Sequence, residues 1–123
     1  MFKRSQAIDS ILGAQMQAKG EIKTDGTIRI DGTFEGIVEA DSFILGESAQ
    51  FKGEITAREV MVGGKIEGHV TAKELVDIKS KGQIIGDVKT QKLVVAEGGI
   101  IEGHFTMHHE DFTVVEFPHK REY

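Results

Sequence analysis

Residues 53–76 read GEITAREVMVGGKIEGHVTAKELV, and the passage nearly repeats itself. Gly53 leads one copy, ending near Val60, and Gly68 leads the next, ending near Leu75, 15 residues further on. Neither copy holds a nucleophile beside a base, or a cluster of likely metal ligands. The repetition is therefore read as architecture, because internal periods of this kind mark solenoids and related arrays.

Aligned on the leading glycine, the chain holds six copies, at Gly20, Gly36, Gly53, Gly68, Gly86 and Gly103, spaced by 16, 17, 15, 18 and 17 residues. Two residues after each glycine stand Ile22, Val38, Ile55, Val70, Val88 and Phe105; two before stand Ala18, Phe34, Phe51, Ile66, Ile84 and Ile101. Both columns are apolar throughout. The residues directly flanking the glycines are mostly polar, with Ile37 and Ile85 as exceptions. Such period-two alternation reads as extended chain with one buried face.

Four residues before the glycine the column is mostly small (Met16, Gly32, Ala49, Gly64, Gly82, Gly99), which suits corners. A second apolar pair follows in each copy: Ile28/Ile30, Phe43/Leu45, Val60/Val62, Leu75/Ile78 and Leu93/Val95. Each copy is thus two or three short strands separated by corners, and the wandering spacing places insertions at outer corners. An amphipathic helix would need apolar residues at helical spacing, which the repeats do not sustain. A flat parallel sheet would need crossovers and cover for its second face. Coiling the copies solves both problems, since each column stacks about 4.8 Å above the last around one shared core. The expected fold is all-β, a single-stranded parallel β-helix (β-solenoid) of about six coils. Handedness is not legible in the columns.

The segment ILGAQMQAKGEIKTDGTIRIDGTFEGIV, residues 11–38, resembles the opening of a bactofilin. The matching features are KGEI, IRIDG and FEGIV, the later coils led by a glycine, and KLVVAEGG at residues 92–99. The resemblance spans about residues 11–107. It implies a right-handed β-helix that assembles without nucleotide into non-polar filaments at the cytoplasmic face of the membrane. It also implies a role in cell shape or in positioning envelope and cell-wall proteins.

The remaining composition agrees. The 123 residues suit one domain, 39% apolar with a single proline. A net charge of −5 gives no positive field to draw nucleic acid. The absence of cysteine excludes a disulfide scaffold and cysteine-bound zinc, and fits a reducing compartment. No apolar run reaches the roughly 18 residues of a membrane span, and residues 1–20 carry no signal-peptide pattern, so a cytoplasmic location is expected.

Chemical motifs are sparse. A phosphate-binding loop needs Gly-x4-Gly-Lys-Ser/Thr, but GGKI at 63–66 has Ile66 in place of the hydroxyl and Glu59 in place of the first glycine. No nucleotide and no other cofactor is expected. His69 and His104 share the column after the glycine with Glu54 and Asp87, predicting an outward Glu–His–Asp–His ladder. A metal or proton site is one reading of it. A solvated ladder of favourable cross-strand pairs is the other, and the one favoured. His108 and His109 fall where the repeat fails and read as surface.

The expected organisation is a flexible tail at residues 1–10, the β-helix at 11–107 and a second tail at 108–123. In the first tail Met1 and Phe2 sit beside Lys3 and Arg4, an apolar tip on a basic cluster suited to anionic lipid. The second tail breaks the columns, with Glu110 where an inward residue should be. Its Phe112, Val114 and Phe117 either fold over the last coil or stay disordered. No amphipathic helix offers a cap at either end, and open sheet ends template association. Phe105 in the last coil, with Met107 and Ile22, are the expected polymerisation residues.

The favoured reading is a non-enzymatic, self-assembling scaffold attached peripherally to the inner membrane, its subunits meeting head-to-head and tail-to-tail. Two other classes remain: a monomeric β-solenoid binding module, and a left-handed hexapeptide acyltransferase. The last would show regular six-residue periods, which spacings of 15 to 18 do not.

Overall fold

The computed structural model describes residues 8–107 and 113–116, and among these every regular element is a strand. In chain order they are β1 (Ile8–Leu12), β2 (Gln17–Lys23), β3 (Thr27–Ile30), β4 (Thr33–Glu39), β5 (Ser42–Leu45) and β6 (Gln50–Val62). They continue as β7 (Lys65–Ile78), β8 (Gln83–Thr90), β9 (Lys92–Val95), β10 (Ile100–Met107) and β11 (Thr113–Glu116). All pairings are parallel and fall into two ladders. The glycine ladder runs β2, β4, the first half of β6, the first half of β7, β8 and β10. The second ladder runs β1, β3, β5, the ends of β6 and β7, β9 and β11. The chain alternates between the two, and that is a β-solenoid. The six glycine rungs enclose five complete turns, one fewer than the six coils expected from counting copies.

The glycine column is a steric requirement. All six glycines have φ between 132° and 142°, a conformation that side-chain-bearing residues rarely adopt. They pair in register, Gly20 with Gly36 and so on to Gly103. A Cβ on any of the upper five would strike the carbonyl oxygen of the glycine below. Gly20, on the first rung, has nothing within 4 Å of that position.

The corners explain the uneven spacing. At the expected small column, Met16, Ala49, Gly82 and Gly99 each donate their N–H to the carbonyl three residues back, closing a turn. At Asp31–Gly32 and Gly63–Gly64 the corner is shorter. A Cβ on Gly32 or Gly64 would meet the backbone of the turn below, Met16 O or Ala49 O respectively. The opposite corner gains a residue where Arg58 alone faces Lys73 and Glu74, the register shift between β6 and β7. Insertions thus sit at corners and leave the stacked faces in register.

Inward residues build one core along the axis. Phe34 and Phe51 stack with ring centroids 5.5 Å apart, and Phe43 meets Phe51 edge-on at 5.6 Å. Ile66 and Ile84 continue that column, while Val38, Ile55, Val70 and Val88 form the next, all buried. In the second ladder the fourth inward pair is Val76/Ile78, not Leu75/Ile78. Val76 aligns with Val60 and Leu93 and is fully buried, whereas Leu75 pairs with Glu59 and Lys92 and is only half-buried. Strand alternation requires inward residues two apart, and the extra corner residue had disguised the phase.

Two boundaries also differ from the expected ones. β1 begins at Ile8, inside the expected N-terminal tail, and pairs with β3. β11 lies inside the expected C-terminal tail and pairs in register with β9, Val114 opposite Leu93. That segment extends the second ladder by a rung instead of folding over the end.

Candidate assembly surfaces

The solenoid has two ends, and three of the four most exposed large apolar side chains among the described residues lie there; the other, Ile37, points outward from β4 and is 45% exposed. At the N-terminal end β2 pairs only with β4, so its other edge is open among the described residues. Met16 is 55% exposed there, and Ala18 and Ile22 are only partly buried. At the C-terminal end β10 pairs, among the described residues, only with β8. Ile100 and Phe105 are exposed at 44% and 36%, and Ile101 is partly buried. Ile100 faces outward, opposite Gln83, whereas Ala18, Ile101, Ile22 and Phe105 belong to inward columns whose middle residues are buried almost completely. Position along the axis sets the exposure, because each inward side chain needs a rung above and below it.

Of the expected polymerisation residues, Ile22 and Phe105 lie at opposite ends, in the first and last rungs of one column. Met107 is opposite Thr90 on the last rung of the glycine ladder. Met1, Phe2, Lys3 and Arg4, and likewise His108, His109 and Glu110, lie outside the described residues.

The histidine ladder forms on the outer side of the glycine ladder. Glu54, His69, Asp87 and His104 occupy consecutive rungs. Asp87 lies between the two imidazoles, its carboxylate 3.0 Å from Nδ1 of His69 and 3.4 Å from Nδ1 of His104. Both imidazoles are well exposed, at 60% and 91%. Among the described residues no group of three or more potential ligands converges on a metal site. At Gly63 and Lys65 the backbone amides are already engaged: Gly63 N–H donates to Leu45 O and Lys65 N–H to Ala49 O. A phosphate cradle needs such amides free.

One cluster escaped the sequence analysis. Arg58, at the register shift, donates Nε and a terminal nitrogen to the two carboxylate oxygens of Asp41, at 3.0 and 3.2 Å. It also reaches Glu59 at 3.1 Å and Glu74 at 2.9 Å. The Arg58 hydrogen bond, chiefly, holds the Asp41 carboxyl below its usual range. The signal was available: Asp41, Arg58 and Glu74 are about one repeat apart. The arrangement ties three successive corners together.

A family model described as "Bactofilin: Polymer-forming cytoskeletal" matches residues 10–106. Bactofilin BacO of Myxococcus xanthus (strain DK1622) is 25% identical over 100 residues, covering 80% of this chain and 79% of that protein. Bactofilin BacP of the same organism is 21% identical over 104 residues, covering 84% of this chain and 43% of BacP. No solved structure matches the chain.

Proposed function

The chain belongs to the bactofilin family, a polymer-forming cytoskeletal family, and from that premise we propose a scaffold whose subunits join end to end, without nucleotide, into non-polar filaments. The observation that carries this reading is the pair of open ends. Each presents a strand edge that is unpaired among the described residues, above incompletely buried core residues, and such edges associate unless covered. Phe105 on the last glycine rung is the anchor at one end, and Ile22 on the first rung lies at the other. If like ends meet, a two-fold contact sets Phe105 against its own copy, and the filament has no polarity. Met1, Phe2, Lys3 and Arg4 form a weak membrane anchor, an apolar tip with cations drawn to anionic lipid. Polymerisation multiplies that weak contact by avidity and holds the filament on the cytoplasmic face of the inner membrane. There it supports cell shape or positions envelope machinery.

Electron microscopy of the purified chain tests the reading, with long filaments expected and monodisperse particles counting against it. Assembly should be indifferent to ATP, GTP and chelators; filaments that require any of these refute the nucleotide-free model. Phe105→Arg should abolish filaments while retaining β-type circular dichroism, because two guanidinium groups would meet in a dry contact. Wild-type-length filaments from that variant would remove the C-terminal end contact.

A further inference from the structure

The outer side of the second ladder carries two apolar residues on adjacent rungs between charged ones. Its central outward column reads Arg29, Ile44, Met61, Asp77, Val94 on successive rungs. Each of the first four alternates with buried neighbours, and Val94 lies between buried Leu93 and partly buried Val95, so each side chain points away from the core. Two adjacent apolar residues thus lie at the centre, with a cation one rung below and an anion one rung above. Arg29 is held by Asp31 through two bonds of 2.9 and 3.1 Å, and Asp77 by Lys79 at 2.9 Å. The two ion pairs have opposite order along the chain: cation on β3 then anion just after it, anion near the end of β7 then cation just after it.

That pattern is its own complement. Consider a two-fold axis lying in the contact plane, parallel to the strands, between the Ile44 and Met61 rungs. It reverses the order of rungs and keeps each position along the strand. Ile44 then faces Met61 of the second copy, Arg29 faces Asp77, and Asp31 faces Lys79. An axis along the solenoid would instead set Arg29 on Arg29 and Asp77 on Asp77. Parallel sheets are normally covered on both faces, and this outer face has an apolar centre with nothing over it among the described residues. Lys19, Glu35, Lys52 and Glu67 on the glycine ladder also alternate in sign, but the apolar residues of that outer side, Ile37 and Ile85, stand in different columns and on separate rungs, so no adjacent apolar pair forms. The four charged side chains are 41–81% exposed and pair along the ladder, the arrangement of a solvated surface.

We propose that this face is a lateral contact between two antiparallel copies of the chain, centred on Ile44 and Met61 and oriented by the two inverted ion pairs. It is distinct from the end-to-end contact and does not depend on it. Where filaments form, it pairs them side by side.

The chain has no cysteine, so the contact is open to cysteine mapping. A 1:1 mixture of full-length I44C and M61C chains, treated with a short bis-maleimide, should give covalent dimer at least fivefold above an I44C and K52C mixture. Equal yields overturn the contact, and a higher yield from I44C alone than from I44C with M61C overturns its antiparallel sense. These substitutions are half-exposed or exposed, so folding is not at stake, and the readout does not require filaments. Charge exchange supplies a second measurement by electron microscopy. R29D/D31K keeps an ion pair within the chain but opposes like charges across the contact, and should reduce assemblies two solenoids wide to one. Adding D77K/K79D restores complementarity and should restore the width. Unaltered width in the first variant, or no recovery in the second, refutes the proposal. An absence of filaments alongside strong I44C–M61C cross-linking would sink the end-to-end reading and leave the lateral contact standing.

Discussion

Ile55, Val70 and Val88 in the middle of the solenoid and Ile22 and Phe105 at its ends occupy the same column. They have the same place in the repeat and the same inward direction. The middle three are 1% exposed, while Phe105 is 36% exposed and Ile22 only partly buried. A core position in a solenoid is completed by its neighbours along the axis, so the repeat that buries the middle leaves the ends unfinished. On the proposed end-to-end reading, stability and assembly use the same contact, made within the chain in one case and between chains in the other.

The largest expected effect sets the middle of that column against its end. Val70→Asp places a carboxylate in the core with no partner and should cost more than about 4 kcal/mol, enough to prevent cooperative folding. Phe105→Arg, in the same column, should leave the fold intact and remove only the filaments. Circular dichroism with analytical ultracentrifugation on both variants makes the comparison. A folded Val70→Asp protein would mean that the middle column is not the core.

The glycine ladder gives the next contrast. Gly68→Ala meets the carbonyl oxygen of Gly53 in addition to an unfavourable φ, and should lose about 2–4 kcal/mol. Gly20→Ala has the same φ but open space, so only the backbone penalty of about 1–2 kcal/mol applies. Urea midpoints in the Phe105→Arg background would measure both without a contribution from polymerisation. Equal losses would show that φ alone selects glycine.

Deletion should be mild for the fold and decisive for the membrane. Removing residues 1–7 spares β1, which begins at Ile8, and should leave filaments but abolish pelleting with anionic vesicles. Phe2→Ala should weaken pelleting more than Arg4→Ala at high salt, where charge attraction is already screened. Undiminished pelleting of the shortened chain would dispose of the anchor.

The smallest effect concerns Asp41 and Arg58. The folded-state pKa of Asp41 is depressed, so its pairing stabilises the protein above the unfolded value of about 3.9 and is lost as pH falls through the folded value. Both groups are more than a third exposed, so solvent screening keeps the loss below about 1 kcal/mol. Asp41→Asn should flatten the acid limb of the stability curve below about pH 4 and change little at pH 7. A wild-type and an Asp41→Asn acid limb that coincide would show the pair to be energetically silent.

Much of this was legible before the structure. The six glycines, the two apolar columns and the turn residues four before each glycine all reappear, and so does the histidine ladder with its intervening Asp87. What misled was phase and extent. Leu75 seemed to be an inward residue because an extra corner residue shifts the count, and only the pairing with Glu59 and Lys92 reveals Val76 in its place. Ile8–Leu12 and Thr113–Glu116 carry no glycine of the repeat, so nothing in the columns marked them as rungs. Their place comes from pairing with strands 15 or more residues away in sequence.

The division follows from the range of the interactions. Alternation of inward and outward residues, and the need for glycine at a positive φ, are local properties of the backbone and can be read along the chain. Which corners meet, as Asp41, Arg58 and Glu74 do, depends on residues one whole turn apart. So does the adjacency of Ile44 and Met61 between Arg29 and Asp77, which appears only when insertions at the corners have been absorbed and the rungs are stacked. The end positions of Phe105 and Ile22 follow from counting copies, but how far each is exposed is decided by the stacked rungs, because an inward side chain is buried only by a rung above and a rung below it.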